Sequence, residues 1–283
     1  MDKVSQLLDL LKLERLENYL FRGQSKSIGS KRVFGGQVLA QSLSAAMETV
    51  PEDRFVHSLH AYFILPGDIH KPIVFEVDPI RDGGSFTTRR VVAIQNGRAI
   101  FNMSASFQLK QEGFEHQEQM PVVTPPDDLM NWQEMVAKYG TNMPDNFKKF
   151  LTWDRPLEFR PVENPFEVEK TNKRNIWLRP KGKMPSDVRK NNLVLAYASD
   201  YNLLTTSLLP HGQLANFPDL TVASLDHAMW FHRPVVMNDW LLYHTDSPSA
   251  SGARGFTRGS IFDKSGCLIA SVAQEGLIRP KRH

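Results

Sequence analysis

A single cysteine, Cys267, stands among 283 residues. One thiol excludes an internal disulfide and a cysteine-rich metal site. Its place just after an expected hairpin suits a small buried apolar side chain. No apolar run approaches the roughly 20 residues that a membrane-spanning helix needs. Neither charge sign dominates: 34 Lys and Arg face 31 Asp and Glu, a formal +3 without a long basic run. The electrostatic footprint of a nucleic-acid binder is therefore missing. The start, Met1-Asp2-Lys3 with Leu7, Leu8 and Leu11 among Asp9 and Lys12, has amphipathic-helix spacing and not that of a signal peptide. The end, Arg279-Pro-Lys-Arg-His283, is neither a Ser-Lys-Leu address nor a lipidation box. The expectation is a cytoplasmic protein with no membrane span and no nucleic-acid partner. Walker, Gly-x-Gly-x-x-Gly and His-Glu-x-x-His motifs are absent, and Gly83-Gly-Ser-Phe-Thr87 lacks the last glycine of a nucleophile elbow, which argues against a serine α/β-hydrolase. His57 and His60 lie on opposite faces of one strand, a poor start for a shared metal, so neither metal nor cofactor is expected.

What is present is a repeat. Leu59-His-Ala-Tyr-Phe-Ile-Leu-Pro66 returns as Met229-Trp-Phe-His-Arg-Pro234, a shift of 234 − 66 = 168. Ile73-Val-Phe-Glu-Val77 is answered by Trp240-Leu-Leu-Tyr-His244, and the hairpin Asn96-Gly97 by Ser265-Gly266, where 266 − 97 = 169. One repetition at so long a period means two paired domains, not a solenoid. The expected division is 1–112, a linker with short helices over 113–156, and 157–283. Pro121, Pro125, Pro126 and Pro144 break up the linker, and a helix is expected from Asp127 to Lys138 with carboxylates in its first turn. Each flanking half has one long, unusually apolar helical stretch, Phe34 to Met47 and Asn192 to Leu204. A helix apolar nearly all round must be buried on most sides, here by an antiparallel sheet curled about it.

That α+β plan, duplicated, is a double hot dog. Its blocks include Phe21-Arg-Gly-Gln-Ser25, Val33-Phe-Gly-Gly-Gln-Val38, Ala198-Ser-Asp-Tyr-Asn202, Asp226-His-Ala-Met-Trp-Phe-His-Arg-Pro234, Ala253-Arg-Gly-Phe256 and Gln274-Glu-Gly276. Together they resemble the acyl-CoA thioesterase II family, bacterial enzymes with peroxisomal relatives. The resemblance implies hydrolysis of fatty acyl-CoA to free acid and CoA. It also implies a catalytic trio at Asp200, Ser224 and Gln274, and a homo-oligomer, often a tetramer. Ser224 stands where many bacterial members have threonine, which keeps the hydroxyl.

The residues support the trio in part by themselves. Asp200 is a lone carboxylate within the apolar stretch Leu193 to Leu204, and burial raises a carboxylate pKa toward that of a usable base. Ser224 and Gln274 are ordinary strand residues without the resemblance. His227 and Phe231 are expected near the substrate, with Leu203, Leu204 and Met229 along an acyl tunnel. Arg258 is expected to meet the CoA phosphates, with Arg89, Arg90 and Arg254 as weaker candidates. The pair Gly35-Gly36 at a helix start offers free N–H groups to an anion, or close packing. Two other functions fit the same plan: a non-catalytic acyl-CoA sensor, and an enoyl-CoA hydratase, whose histidine place is taken by Thr205. By the repeat, Asp200 falls on Gln37, and the first helix has no acid, so the first half is expected to be catalytically dead.

Overall fold

The computed structural model describes residues 2–143, 145–164, 170–212 and 219–281; Met1 and the last two residues of the chain lie outside them. In chain order the elements are α1 (Lys3–Leu11), β1 (Glu14–Glu17), β2 (Leu20–Gly23), α2 (Gly35–Met47), β3 (Arg54–Phe63), β4 (Ile73–Asp82), β5 (Phe86–Gln95), β6 (Arg98–Leu109), α3 (Trp132–Tyr139) and α4 (Asp145–Leu151). They continue with β7 (Leu157–Pro161), β8 (Lys173–Pro180), α5 (Val188–Ser199), β9 (Leu220–Ser224), β10 (Asp226–Phe231), β11 (Leu241–Ser251), β12 (Arg254–Asp263) and β13 (Leu268–Pro280). These strands form one antiparallel sheet in the order β1-β2-β4-β5-β6-β3-β10-β13-β12-β11-β8-β7, with β9 paired to β13.

The order reads as a mirror about the β3/β10 junction. There His60 lies opposite Ala228, and 228 − 60 = 168 is the repeat shift, so a pseudo-two-fold axis passes between those residues. Farther out, Val56 opposite Phe107 in the first half answers Ser224 opposite Gly276 in the second, at shifts of 168 and 169. The fold is thus a tandem hot dog, as the repeat leads one to expect.

Helices α2 and α5 lie antiparallel against each other beneath this sheet. Every residue from Gly36 to Met47, and from Asn191 to Ser199, is buried. At one end of the pair, Arg189 donates to the carbonyls of Met47 and Val50 at 3.1 Å each, capping the last turn of α2. At the other, a Cβ on Gly36 would sit 2.4 Å from the Tyr197 carbonyl, so only glycine allows this approach. The core formed by the two helices and the inner sheet face is continuous across both halves. On the opposite face of the second half, Trp177, Trp240, Leu242, Phe262 and Leu268 are covered by Met120, Val123 and Leu129 of the connecting segment. Gln117 pins that segment by donating to Gly266 O at 2.8 Å and accepting from Leu268 N–H at 3.1 Å.

Several boundaries differ from expectation. The linker helix starts at Trp132, because Asn131 and Glu134 form a capping box there, and Pro126–Asp128 is only a short 3-10 turn. Helix α5 begins earlier, capped by Asp187, and ends at Ser199. Asp200 therefore follows the last turn, with Leu204–His211 a separate 3-10 stretch. Gln37 lies in the first turn of α2, so it is not the counterpart of Asp200. The residue after the last turn of α2 is Glu48, and that is the equivalent place. Cys267 lies one residue before β13, half-buried.

Candidate active site

The approach of α2 to α5 places two helix termini together. Gly36 N–H, unpaired at the start of α2, donates to Asp200 Oδ2 at 2.8 Å, just past the end of α5. The glycine pair thus serves both roles raised for it: close packing, and a seat for an anion that the chain itself supplies. From the sheet, Gln274 on β13 donates through Nε2 to Asp200 Oδ1 at 2.9 Å. Behind Gln274 sits His227 of β10, whose Nδ1 is 3.1 Å from the same Nε2 and whose Nε2 is 2.9 Å from Ser199 Oγ. Ser199 Oγ in turn donates to Ala196 O at 2.8 Å. Gln274 Oε1 is buried with no partner among the described residues.

Burial dominates the electrostatics. It raises the Asp200 carboxyl above its ordinary 3.8, and the bonds from Gln274 and Gly36 only partly oppose this. Burial pulls His227 down to about 3, so the ring is neutral. Tyr197 is pushed up to about 12 and Tyr201 well above its usual value, so both phenols keep their protons; their hydroxyls are 3.1 Å apart.

Asp200 opens on a cavity of about 300 Å³. Val33, Phe34, Trp132, Phe147, Phe150 and Phe159 give it apolar walls, while Ser224, Thr205, Asn202 and Arg174 add polar groups. The buried Arg174 guanidinium donates to Thr205 Oγ1 at 2.8 Å and Asn202 O at 3.2 Å, and desolvation lowers it to about 10, still cationic. A neighbouring cavity of about 320 Å³ shares Ile28 and Arg155 with this one and is lined by Lys3, Lys26, Trp153 and Tyr197; it lacks the Asp200 carboxylate.

The expected residues fare unequally. Asp200 and Gln274 are in contact. Ser224 lines the cavity and lies opposite Gly276, two residues along from Gln274, so hydroxyl and amide leave the same sheet face on neighbouring strands. Gln274 itself lies behind Asp200, not on the cavity wall. His227 is fully buried behind Gln274 and does not reach the cavity, so it is not a substrate-binding residue. Phe231, Leu203, Leu204 and Met229 are core residues that do not line it either. Arg258 lies on the outer surface in an ion pair with Asp246 at 2.6 Å, in a depression with Trp230 and His244. Arg89, Arg90 and Arg254 are likewise engaged, with Asp82, Asp78 and Glu275. Sequence reasoning missed the linker: Trp132, Phe147, Phe150 and Leu151 form a wall of the cavity. Their aromatic content was the available signal. Among the described residues no group of three or more His, Cys, Asp or Glu side chains is disposed to hold a metal.

A tandem hot dog with a half-buried carboxylate, held by a helix N–H and an amide beside an apolar cavity, defines the class of hot dog thioesterases. The comparisons narrow this. Residues 144–277 match the acyl-CoA thioesterase family model, and residues 22–108 match that of the acyl-CoA thioesterase N-terminal domain. Acyl-CoA thioesterase 2 of Haemophilus influenzae is 42% identical over 281 residues, covering 98% of both chains. Human acyl-coenzyme A thioesterase 8 is 39% identical, over 96% of this chain and 88% of its own. The crystal structure of an acyl-CoA thioesterase II from Mycobacterium marinum superposes with a TM-score of 0.81 at 41% identity, covering 97% of this chain and 98% of that one. The chain belongs to the acyl-CoA thioesterase family.

Proposed function

We propose that this chain hydrolyses fatty acyl-CoA to free acid and CoA by direct attack of water, with Asp200 as general base. The observation that carries the reading is the Asp200 carboxylate, half-buried at the mouth of an apolar cavity and held through both oxygens by Gly36 and Gln274. A water in the cavity gives a hydrogen to Asp200, whose carboxylate Gln274 holds from behind. The Ser224 hydroxyl donates to one of the water's lone pairs, leaving the other for the thioester carbon. Gly36 N–H is taken by Asp200, so the thioester oxygen is stabilised by Gly35 N–H, the other first-turn amide of α2 beside the cavity. The proton then passes from Asp200 to the leaving CoA thiolate. The apolar wall from the linker receives the acyl chain.

Neither alternative gains from the site. A hydratase would need a histidine where Thr205 stands, and Thr205 is committed to Arg174 and to Asn202 O. A sensor has no use for a desolvated base. The protein is proposed to act in the cytoplasm as a homo-oligomer, with a tetramer favoured. Among the described residues no helix is long and apolar enough to cross a membrane. Light scattering that shows a strict monomer would contradict the oligomer.

The test is rapid-quench hydrolysis of decanoyl-CoA by purified protein. Steady release of free thiol without acyl-enzyme is expected; a stoichiometric burst of CoA with the acyl group left on Ser224 would exclude direct water attack. No release at all would favour the sensor.

A further inference from the structure

We infer that His227 is a positioning residue: it fixes which way the Gln274 amide faces, so that a donor, and not an acceptor, meets the Asp200 carboxylate. The inference rests on the reading of Asp200 as the base. Its direction comes from counting protons along the buried chain. Ser199 Oγ has one proton and gives it to Ala196 O. It must then accept in its 2.9 Å bond with His227, so the ring proton is on Nε2. Nδ1 is left bare and accepts from Gln274 Nε2, while the second hydrogen of that nitrogen goes to Asp200 Oδ1. Both donors of the amide are now committed, and Oε1 is buried without a partner among the described residues. A flipped amide would set Oε1 against the carboxylate and against bare Nδ1 together, two contacts between acceptors. The neutral ring, fully buried, keeps this orientation.

The first half shows what a strand pair looks like without the device. At shifts of 168 and 169, the places of His227, Gln274 and Ser224 are taken by Leu59, Ala105 and Val56, all buried and apolar. Leucine therefore already packs under the same sheet at this position, which makes His227→Leu the informative variant.

The experiment measures decanoyl-CoA hydrolysis by His227→Leu, His227→Asn, Gln274→Ala and the His227→Leu/Gln274→Ala double variant. His227→Leu is expected to lower kcat about tenfold or more with KM within about twofold, because ground-state binding does not use the ring. Asparagine keeps an acceptor where Nδ1 stands and is expected to restore kcat to within about threefold. In the double variant, losing His227 is expected to add nothing to the loss from Gln274→Ala, since the ring acts only through that amide. Wild-type kcat in His227→Leu, failure of asparagine to rescue, or multiplying losses in the double variant would overturn the inference. If Gln274→Ala itself keeps full kcat, the site assignment falls, and this inference with it. Should His227→Leu not fold, nitrogen NMR of the wild-type ring decides. A proton on Nε2 and a bare Nδ1 from about pH 6 to about pH 9 support the inference, and a proton on Nδ1 overturns it.

Discussion

The two ends of the paired helices offer one backbone two different fates. After the last turn of α5, Asp200 is half-buried, receives a helix N–H and an amide, and faces an apolar cavity. After the last turn of α2, Glu48 is an exposed carboxylate in an open polar groove with Glu52, Asp187 and Lys190. The start of α2 presents Gly36 N–H to Asp200, whereas the start of α5 presents Arg189, which spends its guanidinium on carbonyls at the end of α2. Duplication supplied two equivalent corners. On the proposed reading, chemistry belongs to the corner where the neighbours desolvate the acid and the sheet supplies amide and hydroxyl in place of Ala105 and Val56.

The largest expected break in this comparison is Asp200→Asn. It keeps the shape and removes the base, so kcat for decanoyl-CoA should fall about 10²–10⁴-fold. Because burial raises Asp200, the folded state favours the protonated form, and the stability that form contributes is lost as pH rises through the raised pKa. Asparagine never ionises, but its amide nitrogen must then face a donor, Gly36 N–H or Gln274 Nε2, so relief of the desolvated charge is offset and the melting temperature at neutral pH should change little. In the wild type the same shift should put the acid limb of the kcat profile above the ordinary carboxylate range, with activity lost as pH falls through it.

Ser224→Ala should lower kcat about tenfold to a hundredfold, while Ser224→Thr should stay active; equal activity in both would remove the hydroxyl from the mechanism. Gly36→Ala puts a methyl group 2.4 Å from the Tyr197 carbonyl and must push α2 off α5. Chemical denaturation should show a loss of about 1–3 kcal/mol, accompanied by weaker turnover. The smallest effect is expected at the other corner: Glu48→Gln should leave kcat within about twofold, and a large loss there would mean that both corners work.

Much of this was legible before any coordinates. The repeat shift was readable because strand pairing conserves spacing, and it reappears as the His60–Ala228 pair on the axis. The buried helices announced themselves by lacking a polar face. The ladder that joins Gln274 to Asp200 was not legible, since it depends on which face of β13 meets the end of α5. Helix ends were misread where tertiary contacts decide them: Asp200 reads as part of a continuous apolar stretch, yet α5 stops one residue before it. That one displacement also misdirected the comparison of halves toward Gln37. The aromatic wall of the cavity was missed because Trp132, Phe147 and Phe150 come from the connecting segment, whose fold over the second half is set by long-range packing and not by local pattern. The arginines misled because a guanidinium on a strand reads the same whether it meets a phosphate or, as Arg258 does, a carboxylate across the ladder.

The central claim, one acyl-CoA site per chain at the Asp200 corner, is tested most directly by calorimetric titration with a non-hydrolysable thioether analogue of decanoyl-CoA. The account predicts one analogue bound per chain, unchanged in Glu48→Gln and weakened when Phe150 is replaced by a charged residue. Two equivalent analogues per chain, or one whose binding is lost with Glu48 and indifferent to Phe150, would contradict it.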